Sequence, residues 1–386
     1  MTWEELFFDL AFVFALTQFS RLLHEHGGWI GIAHTLIVFV PVYWAWGGVT
    51  LYINQRDVNS LLDRVGILTL GLGSLLMALT IPGAYGDRSL PFIVIYLASR
   101  ILLALLALRR RAVWRALFVG PYGAFLLTGP LLLSGAVLPG TTRVALWGAA
   151  ALVDLLSPWV ARHLVAQSRV HPLHYTHRYG LLIILVLGES VIQVGVRAVD
   201  DPLTPARVTA VGAAYALVGA LWWAYFRYGV PDFRRAMEQA PDQPDLRRAV
   251  LVYGHLAFSF GIITLAVGLA ELAPSPLDEM PEREMLLLFG GSALFLSTFA
   301  FTHWRIHHRI AWHRVAAAAV CLVLVPVATL VPALVALAAL VLVIVLMIGA
   351  EETTARRHGA DVVGERAEEE SRGDAARVDE GPVSGD

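Results

Sequence analysis

The sequence predicts an all-α, polytopic integral membrane protein with about twelve transmembrane helices. Three observations lead to this fold class. Of the 386 residues, 57% are hydrophobic and only 16% are charged, whereas soluble domains average about 25% charged residues. The mean hydropathy is positive. The apolar residues form long runs, with arginines in short groups between them and no lysine anywhere. This composition argues against a soluble enzyme.

Twelve segments come close to the roughly 20 apolar residues that a membrane-spanning helix needs. In chain order they are 5–22, 30–53, 62–81, 90–108, 113–134, 143–163, 178–197, 206–228, 247–271, 284–304, 312–331 and 333–350. Pro326 and Pro332 leave open an alternative in which the last two segments form one re-entrant hairpin. The acids Glu4, Glu5 and Asp9 lie at the start of the first segment, which has no small-residue cleavage site, so we expect it to remain in the protein rather than act as a signal peptide.

The connections between these spans differ in their arginine content. Connections after even-numbered spans carry 17 arginines, and those after odd-numbered spans carry 6. Because cytoplasmic loops of membrane proteins are enriched in basic residues, this bias predicts that both termini lie in the cytoplasm. We expect a multi-pass protein of the bacterial inner membrane, with the lipid bilayer as its surroundings. The scattered arginine groups give no support to nucleic-acid binding.

The chain also shows signs of an internal repeat. An aromatic cluster at 43–46 is followed by Tyr52, and a similar cluster at 221–225 is followed by Tyr228. Two six-span halves separated by an even number of spans are parallel repeats. We therefore predict a first half at 1–170 and a second half at 171–350.

The last 36 residues differ from the rest of the chain. Residues 351–386 hold 11 of the 31 acids and few apolar side chains. Such a segment cannot bury enough surface to offset its conformational entropy. We predict a disordered, acidic cytoplasmic tail. The single cysteine, Cys321, excludes an intrachain disulfide and makes a cysteine-based metal site implausible.

Several ionisable residues lie inside the predicted spans, where a charge costs roughly 2.5–3.5 kcal/mol. They are Glu5, Asp9, Arg100, Asp154, Glu189 and His255. The helical rise is about 1.5 Å per residue, so four of them lie in one slab about 6–17 Å from the cytoplasmic ends of their helices: Asp9, Arg100, Asp154 and Glu189. We expect them to face a shared polar interior rather than lipid.

The carboxyl groups of this slab are the predicted functional residues. Asp9, Asp154 and Glu189 are expected to handle protons or cations, because three deep acids face one deep guanidinium, that of Arg100. A terminal arginine such as Arg178 is an alternative partner for one acid. Other polar residues that lie on the same helix faces as these acids, or at a similar depth, are expected to line the polar interior with them: Glu5, Arg100, Gln193, His255 and Ser259. Ion pairs and a buried histidine that only fix helix packing are the alternative explanation.

Two separated stretches carry a family resemblance. One is residues 5–15, ELFFDLAFVFA; the other runs from HRYGL at 177–181 to LGES at 187–190. Both resemble signatures of the bacterial low-temperature-requirement A (LtrA) membrane family, and the likeness extends over nearly all of 1–350. The resemblance implies a polytopic bacterial protein linked to growth in the cold. It implies no molecular activity.

Two weaker likenesses suggest other functions. Phe8-Asp9 is similar to the FSD signature of six-span repeats in certain potassium channels, although Phe8 stands where that pattern has Ser. The second likeness concerns histidines near the predicted cytoplasmic side: His171, His174 and His177, and His303, His307, His308 and His313. The HxxxHH spacing at 303–308 is similar to a histidine box of membrane di-iron desaturases.

The function that the sequence favours is secondary transport of a small solute or ion, coupled to protons or cations. A cation channel is the first alternative and a membrane metalloenzyme is the second. We expect no enzymatic activity, no metal and no other cofactor, since aromatic-flanked basic turns commonly anchor a membrane protein. The sequence contains no P-loop motif, so it does not indicate ATP-driven transport. A homo-oligomer is compatible with these features.

Overall fold

The structure is a computed structural model that describes residues 2–26, 28–55, 60–108, 124–160, 171–199, 202–240 and 244–354. Nearly all of these residues are helical. The helices are α1 Trp3–His26, α2 Gly28–Asn54, α3 Leu61–Thr80, α4 Ser89–Leu108, α5 Phe125–Val137, α6 Thr141–Val160, α7 Pro172–Val199, α8 Pro205–Gln239, α9 Pro244–Leu272, α10 Glu282–His307, α11 Trp312–Ala328 and α12 Ala333–Thr354. The chain is therefore an all-α, polytopic membrane protein.

In the described part of the chain, ten helices are long and apolar enough to cross a bilayer. The other two, α5 and α11, have 13 and 17 residues, so the count of twelve crossings stays a prediction. The first residues of the predicted span 113–134 and the last of 143–163 lie outside the described ranges. Helices α11 and α12 are separate elements, joined by a turn at 329–332.

Several boundaries differ from the sequence-based prediction. Helix α7 begins at Pro172, six residues before the predicted start at 178. Helix α8 does not stop at residue 228 but continues to Gln239, because Phe233, Ala236 and Met237 form a buried stripe on an otherwise polar segment. Helix α12 continues past residue 350 to Thr354, where Glu351 pairs with Arg314. The predicted disordered tail falls on 355–386, which lie outside the described residues.

The ends of the helices gather on two opposite faces. The first is the face at which α2 ends and α7 begins, and we call it the arginine-rich face. There Asn54, at the end of α2, donates to the carbonyl oxygen of His171, just before α7. On the opposite face, Arg283 of α10 donates to the carbonyl oxygen of His24 in α1. On that same face, the Ala333 amide of α12 donates to the Asp278 carbonyl oxygen. Contacts of this kind follow from helices that run alternately up and down.

Helix neighbours recur along the chain. Helix α1 packs on α3, α3 on α4 and α4 on α5; in the same order α7 packs on α9, α9 on α10 and α10 on α11. The two sets meet where α1 and α2 contact α7 and α9. The division into halves at residue 170 stays a prediction. The buried residues Glu5, Asp9 and Arg178 lie at this junction.

Glycines allow the closest helix pair to form. A Cβ atom at Gly268 of α9 would lie 2.7 Å from Leu288 Cβ of α10, and one at Gly291 would lie 2.6 Å from the Gly261 carbonyl oxygen. Small residues permit such backbone contact between membrane helices. Large apolar side chains meanwhile remain exposed on outer faces, as with Leu68, Leu72 and Leu75 of α3, and these faces suit contact with lipid.

Candidate functional site

A buried ion pair joins α1 to α7 at the junction. Arg178 donates from Nη1 to Asp9 Oδ2 at 2.6 Å and from Nη2 to Asp9 Oδ1 at 2.9 Å. Trp46 of α2 donates its indole N–H to Asp9 Oδ1 at 3.0 Å. The Arg178 side chain is 0% exposed. This two-point geometry gives the Asp9 carboxylate both charge compensation and hydrogen bonds.

The network extends from this pair towards the arginine-rich face. Arg178 Nη1 lies 3.9 Å from Glu5 Oε2, and His174 Nε2 lies 3.1 Å from the same oxygen. Asn54 of α2 lies within hydrogen-bonding distance of His174 Nδ1, at 3.1 Å. Three helices are therefore connected by charged and polar side chains in one continuous cluster.

Arg100 of α4 does not act as the counter-charge of Asp9. It donates from Nη1 to the carbonyl oxygen of Trp44 at 3.1 Å, and its guanidinium lies 6.0 Å from the Tyr96 ring centre. Arg178, which the sequence offered as an alternative partner for one acid, is the counter-charge of Asp9. The reason is the helix arrangement, since α7 approaches the face of α1 that carries Glu5 and Asp9.

Asp154 of α6 lies in a different setting. Its side chain is fully buried, and neither carboxyl oxygen accepts a hydrogen bond from a residue that the structure describes. Arg100 is near enough to act on this carboxyl group electrostatically. The Asp154 carbonyl oxygen accepts a hydrogen bond from the Ser157 hydroxyl at 2.8 Å, next to Pro158. Asp154 is thus a buried acid without the direct ligands that Asp9 has.

Glu189 lies eleven residues beyond Arg178 along α7. Its side chain is 3% exposed, and Gln193, one helical turn further along α7, donates to Glu189 Oε1 at 2.7 Å. Thr17 of α1 also contacts this carboxyl group. Within the described ranges, no arginine or histidine lies within 4.0 Å of it.

A polar cavity of about 240 Å³ lies between α1, α7 and α9 on the opposite face. Gln193 is among its lining residues, which include Arg21, His24, Glu25, Arg197 and Glu271. Since Gln193 is hydrogen-bonded to Glu189, only one side chain separates the cavity from the buried acid.

The two remaining predicted site residues lie on α9. His255 is fully buried; its Nε2 lies 2.6 Å from the Tyr225 hydroxyl and its Nδ1 lies 3.1 Å from the Val250 carbonyl oxygen. Both ring nitrogens are therefore engaged, as expected of a histidine that holds helices together. Ser259 Oγ is buried, with no hydrogen-bond partner among the described residues.

The structure brings together only part of the predicted site. Asp9 and Glu5 share one cluster, whereas Asp154 lies with Arg100, Glu189 with Gln193, and His255 in an aromatic pocket. Sequence reasoning missed Trp46, His174 and Asn54, and it named Arg178 only as an alternative. The predicted seventh span begins at Arg178 itself, whereas α7 begins at Pro172. Arg178 therefore lies six residues, about 9 Å, from the first residue of its helix, the same as Asp9 in α1, and the predicted boundary concealed this equal depth.

Comparison with known proteins agrees with the two sequence signatures that meet in the Asp9–Arg178 pair. The family model for the bacterial low temperature requirement A protein (LtrA) matches residues 1–349. The chain is also 30% identical over 328 residues to the uncharacterized protein RA0937 of Rhizobium meliloti (strain 1021), a match that covers 80% of this chain and 78% of the relative. No solved structure matches the chain. The chain therefore belongs to the bacterial LtrA family of polytopic membrane proteins.

Proposed function

We propose that the protein is a secondary transporter of a small solute or ion, coupled to protons or cations, in the bacterial inner membrane. The observation that supports this most is Glu189, a buried acid without a basic partner in the described residues, one side chain away from a polar cavity. Ionisable groups inside membrane helices are costly, and they commonly mark ion or proton pathways.

The proposed cycle uses Glu189 as the group that changes charge. A proton or cation reaches it from the cavity of the opposite face, through Gln193. Neutralising the carboxylate lowers the cost of moving this part of α7 against α1, since a buried neutral group is cheaper than a buried charge. Asp154 is a second carboxyl group of this kind, closer to the arginine-rich face.

Asp9 takes a different role in this proposal. Its carboxylate already has a bidentate arginine and an indole N–H as partners, so it fixes α1, α2 and α7 against one another rather than carrying an ion. With the arginine-rich face in the cytoplasm, as the arginine bias predicts, the cavity beside Gln193 opens to the periplasm.

The test is ion flux in liposomes that contain the purified protein, followed with pH-sensitive and cation-sensitive dyes. We expect the wild type to move protons or cations. Glu189→Gln should retain wild-type expression and membrane insertion but lose flux, because the amide keeps the shape and loses the charge. Glu238→Gln is the matched control, since Glu238 is exposed at the end of α8 and pairs with Arg234.

Two results would count against this function. A fully active Glu189→Gln protein would remove the coupling role of Glu189. Flux far above carrier rates, without need of a driving ion, would instead favour the cation channel.

A further inference from the structure

A second group of ionisable side chains lies away from the transport site, at the arginine-rich ends of α8 and α10. Asp232 of α8 faces His303 and His307 of α10. The two histidines are four residues apart, so they lie one above the other on one helix face, and their ring centres are 4.5 Å apart. Neither the transport proposal nor the family resemblance uses these residues.

The distances between the ligand atoms match those of a coordination sphere. His307 Nε2 lies 3.1 Å and His303 Nδ1 lies 3.8 Å from the same oxygen, Asp232 Oδ2. All three ligand atoms lie within 4.8 Å of one another. Metal–ligand bonds of about 2.0–2.2 Å place neighbouring ligands of a tetrahedral ion about 3.4 Å apart. One ion therefore fits between them with little movement of the side chains.

Hydrogen bonds hold two of the three ligand atoms in place: His307 Nε2 and Asp232 Oδ2 lie within hydrogen-bonding distance of each other, at 3.1 Å, and an ion bound between them would replace that bond. Arg235 donates to the other carboxylate oxygen, Asp232 Oδ1, at 3.0 Å, which orients the carboxylate and leaves Oδ2 pointing at the histidines. Such a partner behind a ligand is typical of metal sites. His303 Nδ1 is buried and has no hydrogen-bond partner among the residues that the structure describes.

The open side of the group faces a cavity of about 600 Å³ between α8, α10, α11 and α12. The nearby charges there are partly compensated: Arg314 pairs with Glu351, and Tyr228 donates to Glu352. Three protein ligands and one open side are the arrangement of zinc sites that keep a water or another ligand in the fourth position.

We propose that Asp232, His303 and His307 bind one divalent transition-metal ion of the zinc class. Two imidazoles and a carboxylate suit Zn²⁺ and its neighbours rather than Mg²⁺ or Ca²⁺. The ion connects α8 to α10 just beyond the π-helical segment Ala224–Gly229, so it restrains the polar end of α8. This site departs from the sequence-based expectation of no metal, and it stands independently of the transport proposal.

The test uses the full-length protein, purified with a histidine-free affinity tag and stripped with a chelator. Zn²⁺ binding is measured by calorimetry and by metal analysis after dialysis, and Co²⁺ absorption reports the coordination. We expect one Zn²⁺ per chain and a higher unfolding temperature with Zn²⁺ present, because a ligand that binds only the folded state stabilises it.

Variants assign the ligands. His307→Ala and Asp232→Asn should each weaken Zn²⁺ binding more than about 100-fold, since loss of an orienting partner alone costs 10–100-fold. His308→Asn is the matched control: it removes the adjacent histidine, and Asn tolerates the left-handed backbone at this position, φ 53°. Its Zn²⁺ affinity should equal that of the wild type. If His307→Ala does not fold, Asp232→Asn decides alone.

Three results would overturn the site. They are no binding of Zn²⁺ or Co²⁺ by the wild type, unchanged binding in both ligand variants, or equal loss in His308→Asn. The first two would leave Asp232 and His307 as an ordinary hydrogen-bonded pair. Since binding is measured without any flux assay, failure here leaves the transport proposal unaffected.

Discussion

The α1–α2–α7 cluster and the α6 helix both bury an aspartate, yet the two carboxyl groups have opposite surroundings. Asp9 has a bidentate arginine and an indole N–H within 3.0 Å. Asp154 has no hydrogen-bond donor on either carboxyl oxygen among the described residues, and Arg100 acts on it only electrostatically. Burial alone therefore does not show whether an acid has direct charged and hydrogen-bonding partners.

The difference lies in the number of direct partners. A buried charge is tolerated when an opposite charge and hydrogen bonds replace the lost water, and removing one partner is then expensive. A buried carboxyl group without such partners is held in place by the packing around it. Substitutions should therefore separate the two regions by their effect on stability before any activity is measured.

The largest effect is expected for Arg178→Ala. This change removes the arginine partner of Asp9 and leaves His174 as the basic side chain beside Glu5 among the described residues. It should lower the free energy of unfolding by about 3–5 kcal/mol, the usual cost of breaking a buried ion pair. Unfolding of the detergent-solubilised protein, followed by circular dichroism, measures it. Arg197→Ala is the control, because Arg197 pairs with Glu271 in an exposed setting. Equal stability losses in the two variants would contradict a structural role for the buried pair.

The sequence predicted the helices better than their contacts. A long apolar run is a local property, so α1 to α4 begin and end within four residues of the predicted spans. The polar end of α8 was missed because hydropathy does not register a helix whose buried stripe is only three residues. The partner of Asp9 depends on which helices are neighbours, and depth alone did not separate Arg178 from Arg100.

Trp46→Phe should have the next largest effect. Phenylalanine keeps most of the aromatic packing against Phe12 and Tyr179 but removes the indole N–H that binds Asp9 Oδ1. A hydrogen bond to a charged group contributes about 1.5–3 kcal/mol, so the unfolding free energy should fall by that amount. Trp44→Phe serves for comparison, since Trp44 lies in the same helix and only its backbone carbonyl binds Arg100. A larger loss for Trp44→Phe would argue against the indole–carboxylate bond as the cause.

Arg64→Gln tests the exposed counterpart of the buried pair. Arg64 of α3 lies 3.3 Å from Glu4 of α1, with side chains 52% and 19% exposed. Water and salt screen such pairs, which contribute about 0–1 kcal/mol. The same unfolding measurement should show a loss below about 1 kcal/mol that shrinks further in high salt. A salt-independent loss near that of Arg178→Ala would mean that exposure does not decide the strength of these pairs.

The smallest change in stability is expected for Asp154→Asn. The amide has nearly the same shape as the carboxyl group, and the carboxyl group accepts no hydrogen bond from a described residue that the change would break. Removing the negative charge relieves its desolvation cost and forfeits the attraction of Arg100, and these two contributions oppose each other. Arg100 keeps its bond to the Trp44 carbonyl oxygen in either case. The unfolding free energy should therefore stay within about 1 kcal/mol of the wild type, while ion flux in liposomes should fall if Asp154 carries charge during transport. A loss of several kcal/mol would show instead that Asp154 and Arg100 form a structural pair as strong as Asp9 and Arg178, and the contrast between the two regions would then disappear.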